Sequence, residues 1–298
     1  MGANIYKNKK PIIFFLLPAF GFMFVFLYYP FAQNFINSFF DITGLGTSRG
    51  EINSPWYSNY LEMFRDKYMW IAMRNTALMI VSTIVFQVGI ALILALFVDN
   101  IKHGAVIYRV VYFFPIVISA TALGLLFRLI FLYDKGMINQ FLELFGQEKL
   151  IDWKDQAHAL LTMIVPVIWQ YVGFYFVILV TGLNNISEEL YEAAIIDGAS
   201  KVKKVFYISL PLLRNTICTC VILSVTGALK VFDLPWVMFP NGLPFGQTWL
   251  TGTYMYYQTF NVGNVDYSSA IAVAIVVIGV SLSKIVNFIF RDKDGYEA

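Results

Sequence analysis

From Pro11 to Phe40 the chain carries no charged residue. A run this apolar has few ways to fold. In lipid every backbone polar group must be satisfied within the protein, so only helices and closed barrels cross a membrane, and a helix needs about 20 apolar residues to do so. Lys7, Lys9 and Lys10 precede the run as they would in a signal peptide. The run is too long for a signal core and no small-x-small cleavage site ends it, so the expectation is a retained first span. Across all 298 residues, 58% are hydrophobic and 13% charged, about half the charged share of soluble domains. The net charge of +2 is too small to point to nucleic acid, and Cys218 and Cys220 have no metal-ligand spacing and read as packed thiols.

Five further runs follow. The second lies between Arg74 and Asp99, and the third between Arg109 and Arg128, extending past Arg128. The fourth covers Ala159 to Thr181. The fifth begins after Arg214 and continues through Lys230 toward Phe239, and the sixth starts after Asp266 and ends near Phe290. The fold class expected is therefore an all-α integral membrane protein of six transmembrane helices, with both termini on one side. Lys and Arg are about twice as dense in the segments on the side of the termini, which places the termini in the cytoplasm. The opposite loops hold Trp56, Tyr57, Tyr60, Trp70, Trp153, Trp249, Tyr254, Tyr256 and Tyr257, and are read first as interfacial anchors and second as a platform for an external protein or sugar.

A short polar island separates the fourth and fifth runs. Ser187 is placed to cap a helix, with Glu188 and Glu189 in its first turn, where carboxylates interact well with the dipole. Leu190, Ala193 and Ala194 supply a small helical face, and Gly198 supplies a helix end. Ser200 restarts a helix carrying Lys201, Lys203 and Lys204, and Pro211 falls where span five begins. The pattern predicts a stiff helix–turn–helix elbow, acidic first and basic second, outside the lipid and suited to receive a soluble partner.

The spacing Glu192-Ala193-Ala194, three residues, Gly198, nine residues, then Ile208-x-Leu210-Pro211 resembles the signature loop of ATP-binding-cassette importer permeases. Arg74-Asn75-Thr76, Phe113-Phe114-Pro115, Trp169, Tyr191, Asp197-Gly198-Ala199 and Leu210-Pro211-Leu212-Leu213 look like the carbohydrate-uptake branch, the maltose-transporter-like inner-membrane components. The likeness runs from about residue 70 to 290. Pro240-Asn241-Gly242-Leu243-Pro244 departs from the family's usual Gly-Gly-Pro turn. The resemblance implies a type I importer core. It divides the chain into 1–70 (N-terminus, first helix and external loop), 71–290 (the transmembrane domain, with a coupling loop at 185–213) and a tail, 291–298.

That resemblance implies a multi-pass subunit of the bacterial or archaeal cell membrane that is not itself an enzyme. Glu192, Ala193, Ala194, Asp197, Gly198, Leu210 and Pro211 would dock in a cleft of a separate ATPase, Glu192 meeting a basic group there. The partners implied are a second homologous permease, two copies of a cytoplasmic ATPase and an extracytoplasmic solute-binding protein, with a sugar or oligosaccharide as cargo. No cofactor is expected in this chain, since it lacks a phosphate-binding glycine loop and a His-Glu-x-x-His motif, and ATP and Mg would sit on the partner ATPase. His103 and His158, its two histidines, are not expected to be catalytic.

The solute path is read from spans four and five. Span four offers Trp169, Gln170, Tyr171, Phe174 and Tyr175, aromatic faces beside an amide. The maltose branch's sugar-lining positions fall on Val167, Gln170, Tyr171 and Phe174, then on Ser224, Gly227, Ala228 and Val231. Gly227, Ala228 and Val231 are smaller than that branch's residues. Lys230 and Asp233 are intramembrane charges three apart, read as sharing a helical face and able to pair, while Arg128 is read as snorkelling. The competing readings are the same machine for a solute such as a glycerol phosphate ester, and a stand-alone secondary transporter, which would leave the docking loop without a purpose.

Overall fold

The computed structural model describes residues 10–99, 105–147 and 149–291. Among these residues the fold is helical, with isolated β-bridges at Phe40–Ile52 and Thr43–Asn264 and no strand. In chain order the helices are α1 (Lys10–Asn37), α2 (Ser58–Arg65), α3 (Lys67–Val98), α4 (Val106–Val117), α5 (Ala120–Ile130), α6 (Met137–Leu144), α7 (Ala159–Asn184) and α8 (Glu188–Ile196). They continue as α9 (residues 201–212), α10 (Arg214–Lys230), α11 (Asp233–Met238), α12 (Thr251–Tyr257) and α13 (Val265–Phe290). α1, α3, α7, α13 and the α10–α11 segment are long and apolar enough to cross a membrane.

The third span is not a single straight helix. α4 and α5 are bent by 91° at Ile118–Ser119. Ile116, Val117 and Ile118 are β-branched and lose rotamer freedom in a helix, and Ser119 adopts the extended backbone of an N-cap (ψ 131°). The Leu123 N–H donates to the Ser119 carbonyl (2.9 Å), so α5 starts afresh in a new direction. Hydropathy records that such a segment is apolar and nothing of its direction.

The fifth span is also interrupted. α10 ends at Lys230, Val231 is extended (ψ 125°), and Phe232 (φ −139°) leads into α11. Lys230 and Asp233 therefore do not share one helical face, and no ion pair joins them among the described residues. This corrects the pairing expected from their spacing.

The chain divides into two compact units. The first comprises Met1–Asp66 and Met255–Ala274. Within it the Ser38 and Tyr60 hydroxyls lie 2.8 Å apart, Asn59 Nδ2 donates to the Ser38 carbonyl, and the Tyr267 hydroxyl donates to Asp66 (2.8 Å). α1 buries none of its most apolar stretch, as a helix apolar on every side does in lipid.

The second unit comprises Lys67–Tyr254 and Ile275–Ala298. Its helices approach through small residues, the usual basis of helix packing in membranes. A Cβ at Gly173 would stand 1.7 Å from the Tyr112 carbonyl oxygen, so α4 crosses α7 backbone to backbone. Two apolar clusters form the interior. One gathers Met79, Leu123, Met163, Val167, Ala228 and Leu234, and the other Val88, Tyr175, Phe176, Leu179, Leu213 and Cys220. Buried Asn75 donates through Nδ2 to the carbonyls of Gln247 (2.6 Å) and Trp249 (2.9 Å), and the Thr251 N–H donates to Thr76 Oγ1 (3.0 Å). The Arg74-Asn75-Thr76 motif thus pins the loop that enters α12.

The loop between α5 and α7 is organised by Asn139, which donates to the Tyr133 and Ile151 carbonyls (2.9 Å each) and accepts from the Trp153 indole (3.0 Å). Trp153 also packs on Phe131 (5.6 Å between rings), and Trp249 is buried. Trp153 is thus half-buried against the core and Trp249 lies inside it, whereas Trp56 and Trp70 remain exposed as interfacial anchors would be. Cys218 and Cys220 are free, buried thiols, as their sequence context predicts.

Candidate functional site: a membrane cavity and an exposed elbow

A cavity of about 320 Å³ lies where the two apolar clusters of the second unit meet. α7 supplies Val167, Gln170, Tyr171, Phe174 and Tyr175 to its wall. α10 supplies Ser224, Gly227, Ala228 and Lys230, and the break after it adds Val231, Phe232 and Asp233. The nine residues singled out from the sequence as a path (Gln170, Tyr171, Phe174, Ser224, Gly227, Ala228, Lys230, Val231, Asp233) all line this one space. Trp169 does not. It is turned about 100° from Gln170 on the helix, is 44% exposed, and meets Phe127 edge-on at 5.6 Å.

The wall is held by polar side chains that bridge helices. Gln170 Nε2 donates to the Ile118 carbonyl (3.4 Å), an acceptor freed by the break between α4 and α5. Gln87 Nε2 donates to the Val167 carbonyl (3.1 Å), tying α3 to α7. Gln87 and Thr83 lie in a π turn of α3 (Thr83–Val88) and both line the cavity. Such widened turns occur preferentially at functional sites. The wholly buried Ser224 hydroxyl makes no hydrogen bond of regular geometry, with the Tyr175 phenol as its polar neighbour.

The exposed face of α10 continues from the cavity wall. Asn215, Thr219, Leu223, Gly227 and Lys230 recur at helical spacing and are all exposed, and only Leu223 among them is a large apolar residue. A face of this composition suits water or another protein better than lipid.

The elbow has the predicted form. Ser187 Oγ accepts from the Glu189 N–H (3.3 Å) at the start of α8, and Ser200 Oγ accepts from the Lys203 N–H (3.4 Å) at the start of α9. Between them Gly198 takes φ +75°, in the left-handed region that favours glycine, and the Ala199 N–H closes the helix end on the Ala194 carbonyl (2.8 Å). The Tyr191 and Ser209 hydroxyls lie 2.9 Å apart and clamp the two arms. Glu192, Ala193, Asp197, Gly198 and Pro211 are exposed, and Ala194 and Leu210 half-buried. At the tip the exposed side chains include Ile195 and Ile196, the latter 86% accessible.

Pro211 sits differently from expectation. It lies in the last turn of α9, and the span begins after it at Arg214. A proline clashes with the carbonyl four residues back. The turn 205–209 avoids this by widening, with the Leu210 N–H reaching the Val205 carbonyl.

The family described as the binding-protein-dependent transport system inner membrane component matches residues 90–292. The chain belongs to this family. The probable ABC transporter permease protein YurN of Bacillus subtilis is 33% identical over 281 residues, covering 93% of this chain and 94% of the relative. The sulfoquinovosyl glycerol transport system permease SmoG of Agrobacterium fabrum is 29% identical, over 94% of this chain and 90% of that one. The arabinooligosaccharides permease AraP of Halalkalibacterium halodurans is 28% identical, over 92% and 86%. A chain in the crystal structure of a bacterial ABC transporter that imports alginate superposes with a TM-score of 0.83 at 18% identity, covering 96% of each chain, and so shares the fold.

In this inner-membrane component, sequence reasoning missed Thr83, Gln87 and Leu223 in the cavity wall. The signal for Gln87 was present, an amide within an apolar span. His158 is accounted for structurally. Its N–H donates to Asp155 Oδ1 (2.8 Å) and its Nδ1 pairs with the same oxygen (2.7 Å), fixing the turn that enters α7. These bonds, the His158 N–H first, hold the Asp155 carboxyl below the ordinary range. His103 lies outside the described residues. Among the described residues no cluster of His, Cys, Asp and Glu is fit to hold a metal.

Proposed function

We propose that this permease subunit passes a sugar or oligosaccharide through the cavity between α7 and α10, driven by a separate ATPase that docks on the elbow. The observation that carries the coupling half is the elbow itself. It is a helix pair capped at both starts, clamped by Tyr191 and Ser209, and crested by exposed Ile195 and Ile196. An apolar crest beside Glu192 suits a protein cleft carrying a basic group. Glu192, Ala193, Ala194, Asp197 and Gly198 form the docking arm, and Leu210 and Pro211 relay its movement into α10.

The cargo reading rests on the cavity and on the relatives. The wall combines the aromatic faces of Tyr171, Phe174 and Tyr175 with hydrogen-bonding groups at Gln170 and Ser224. SmoG and AraP are named for a glycosylated glycerol and for oligosaccharides. Lys230 is accompanied in the wall by Asp233, which weighs against a phosphate ester. The polar exposed face of α10 fits a second permease completing the path. A bacterial alginate ABC transporter of the same fold has been crystallised with a periplasmic protein bound to an alginate pentasaccharide, and a binding protein of that kind would deliver the solute here. Two ATPases would carry ATP and Mg, both termini would face the cytoplasm, and closure of the ATPases would swing the elbows and turn the cavity outward.

The test uses the reconstituted transporter. Gly198→Trp forces a bulky side chain into a left-handed backbone and is expected to abolish ATP-dependent sugar uptake while the protein still inserts and retains its spans. Normal uptake by that variant would sink the coupling assignment. Tyr171→Ala should alter substrate-stimulated ATPase activity, and an unchanged profile would remove Tyr171 from the path.

A further inference from the structure

The second span carries an exposed apolar stripe that neither the cavity nor the elbow's docking arm uses. Phe86, Ile90, Ile93 and Phe97 recur at steps of four, three and four residues, and each is exposed. Two separate clefts border the stripe, one at each end. Phe86 and Ile90 form one wall of an apolar groove of about 710 Å³, whose other walls include Pro115 of α4 and Trp169 of α7. Ile93 and Phe97 form one wall of a second cleft of about 410 Å³, closed on the elbow side by Val202 and Lys201 of α9. From Phe86 to Phe97 the helix rises about 16 Å, roughly half the ~30 Å thickness of a bilayer's hydrocarbon core. The track is one leaflet long.

Among the described residues lining the two clefts, Lys201 is the cation, and it stands at the end of the stripe. Lys201 lines the lower cleft, with Lys203 and Lys204 beside it in sequence, and no carboxylate among the described residues pairs with it. An apolar track one leaflet deep that ends at an ammonium matches one kind of ligand, an amphiphile with an acyl tail and an anionic head. Basic side chains at a membrane surface attract such heads, and aliphatic walls take the tail. We propose that the stripe and cleft bind an anionic phospholipid, its acyl chain along Phe86–Phe97 and its phosphate on Lys201. The lipid would then touch the basic arm of the elbow directly, so that membrane composition reaches the element that receives the ATPase. The assignment rests on the groove and Lys201, and stands or falls independently of the cargo.

The test places the complete transporter in nanodiscs of phosphatidylcholine, with or without phosphatidylglycerol, and follows acetylation of Lys201 by mass spectrometry. Phosphatidylglycerol is expected to slow labelling of Lys201. Lys201→Gln should retain about fivefold less phosphatidylglycerol in native mass spectra, the effect of one lysine at an anionic surface. Phe97→Ser, which removes part of the track at an exposed position, should lower retention with Lys201 intact. Equal labelling in the two lipids would overturn the proposal. So would protection by inorganic phosphate in phosphatidylcholine discs, which marks a free-anion site, or protection that depends only on the ATPase subunit, which marks a protein interface.

Discussion

The elbow and the cavity wall sit in the same unit and are held in opposite ways. The elbow is local. Its shape comes from two serine caps, a left-handed glycine and one hydroxyl pair, all within residues 187–209. The cavity wall is assembled at a distance. Gln87 reaches Val167, Gln170 reaches Ile118, and Gly173 admits Tyr112 against its backbone. The difference teaches that the elbow carries its own scaffold, whereas the cavity wall takes its shape from its neighbours.

Four substitutions or conditions test this contrast, from the largest effect downward. Gly173→Ala places a Cβ against the Tyr112 carbonyl and should cost about 3 kcal/mol or more, lowering the melting temperature of the purified protein. Proteolysis at Lys201, Lys203 and Lys204 should stay as in the parent, because the elbow does not depend on that crossing. An unchanged melting temperature would show that α4 and α7 do not meet so closely.

Asn75→Ala removes the acceptor of the Arg74 guanidinium and leaves the Gln247 and Trp249 carbonyls without their donor, at a cost of about 2 kcal/mol. Hydrogen exchange should rise in residues 247–251 and not in the elbow. A rise in both regions would erase the distinction between them. Tyr191→Phe should act the other way, at about 1 kcal/mol, freeing the elbow's amides to exchange while binding in the cavity is preserved.

The smallest effect concerns pH. The Asp155 carboxyl is held below its ordinary value, so its contribution is complete above the usual Asp range near 3.9 and is lost as pH falls through the lowered value. The Ala157 and His158 amides, both donors to Asp155, should lose protection only in that acid window. Protection that persists below the carboxylate range would remove Asp155 as their acceptor.

Legibility in the sequence follows the same division. Caps, glycine ends and charge order are local codes, and Ser187, Gly198 and Ser200 could be read in place. The apolar runs marked the spans because length and composition decide membrane crossing. Breaks inside apolar runs were hidden. Lys230 and Asp233 have helical spacing, yet Val231 and Phe232 leave the helix between them. Ile116 to Ser119 look like any other stretch of a span. Only Gln170, 52 residues beyond Ile118, marks the bend, by donating to the carbonyl it exposes. Trp169 attracted notice as an aromatic beside Gln170, but neighbours in a helix point apart, and it faces the outer groove. Asn75 was recognisable as part of a motif, while its task depends on a loop more than 170 residues away.

The widened turn at 205–209 sets a phase. An α-helix advances about 100° per residue, so the extra residue it accommodates ahead of Pro211 fixes the azimuth at which α10 leaves the elbow. Deleting one residue there would leave both the elbow and the span intact as helices, yet would swing Ser224 and Gly227 out of the cavity by about a quarter of a revolution. The distance between Gly198 and Pro211 is therefore a timing mark, and a change in that count alone would turn the cavity-lining face of α10 in a different direction.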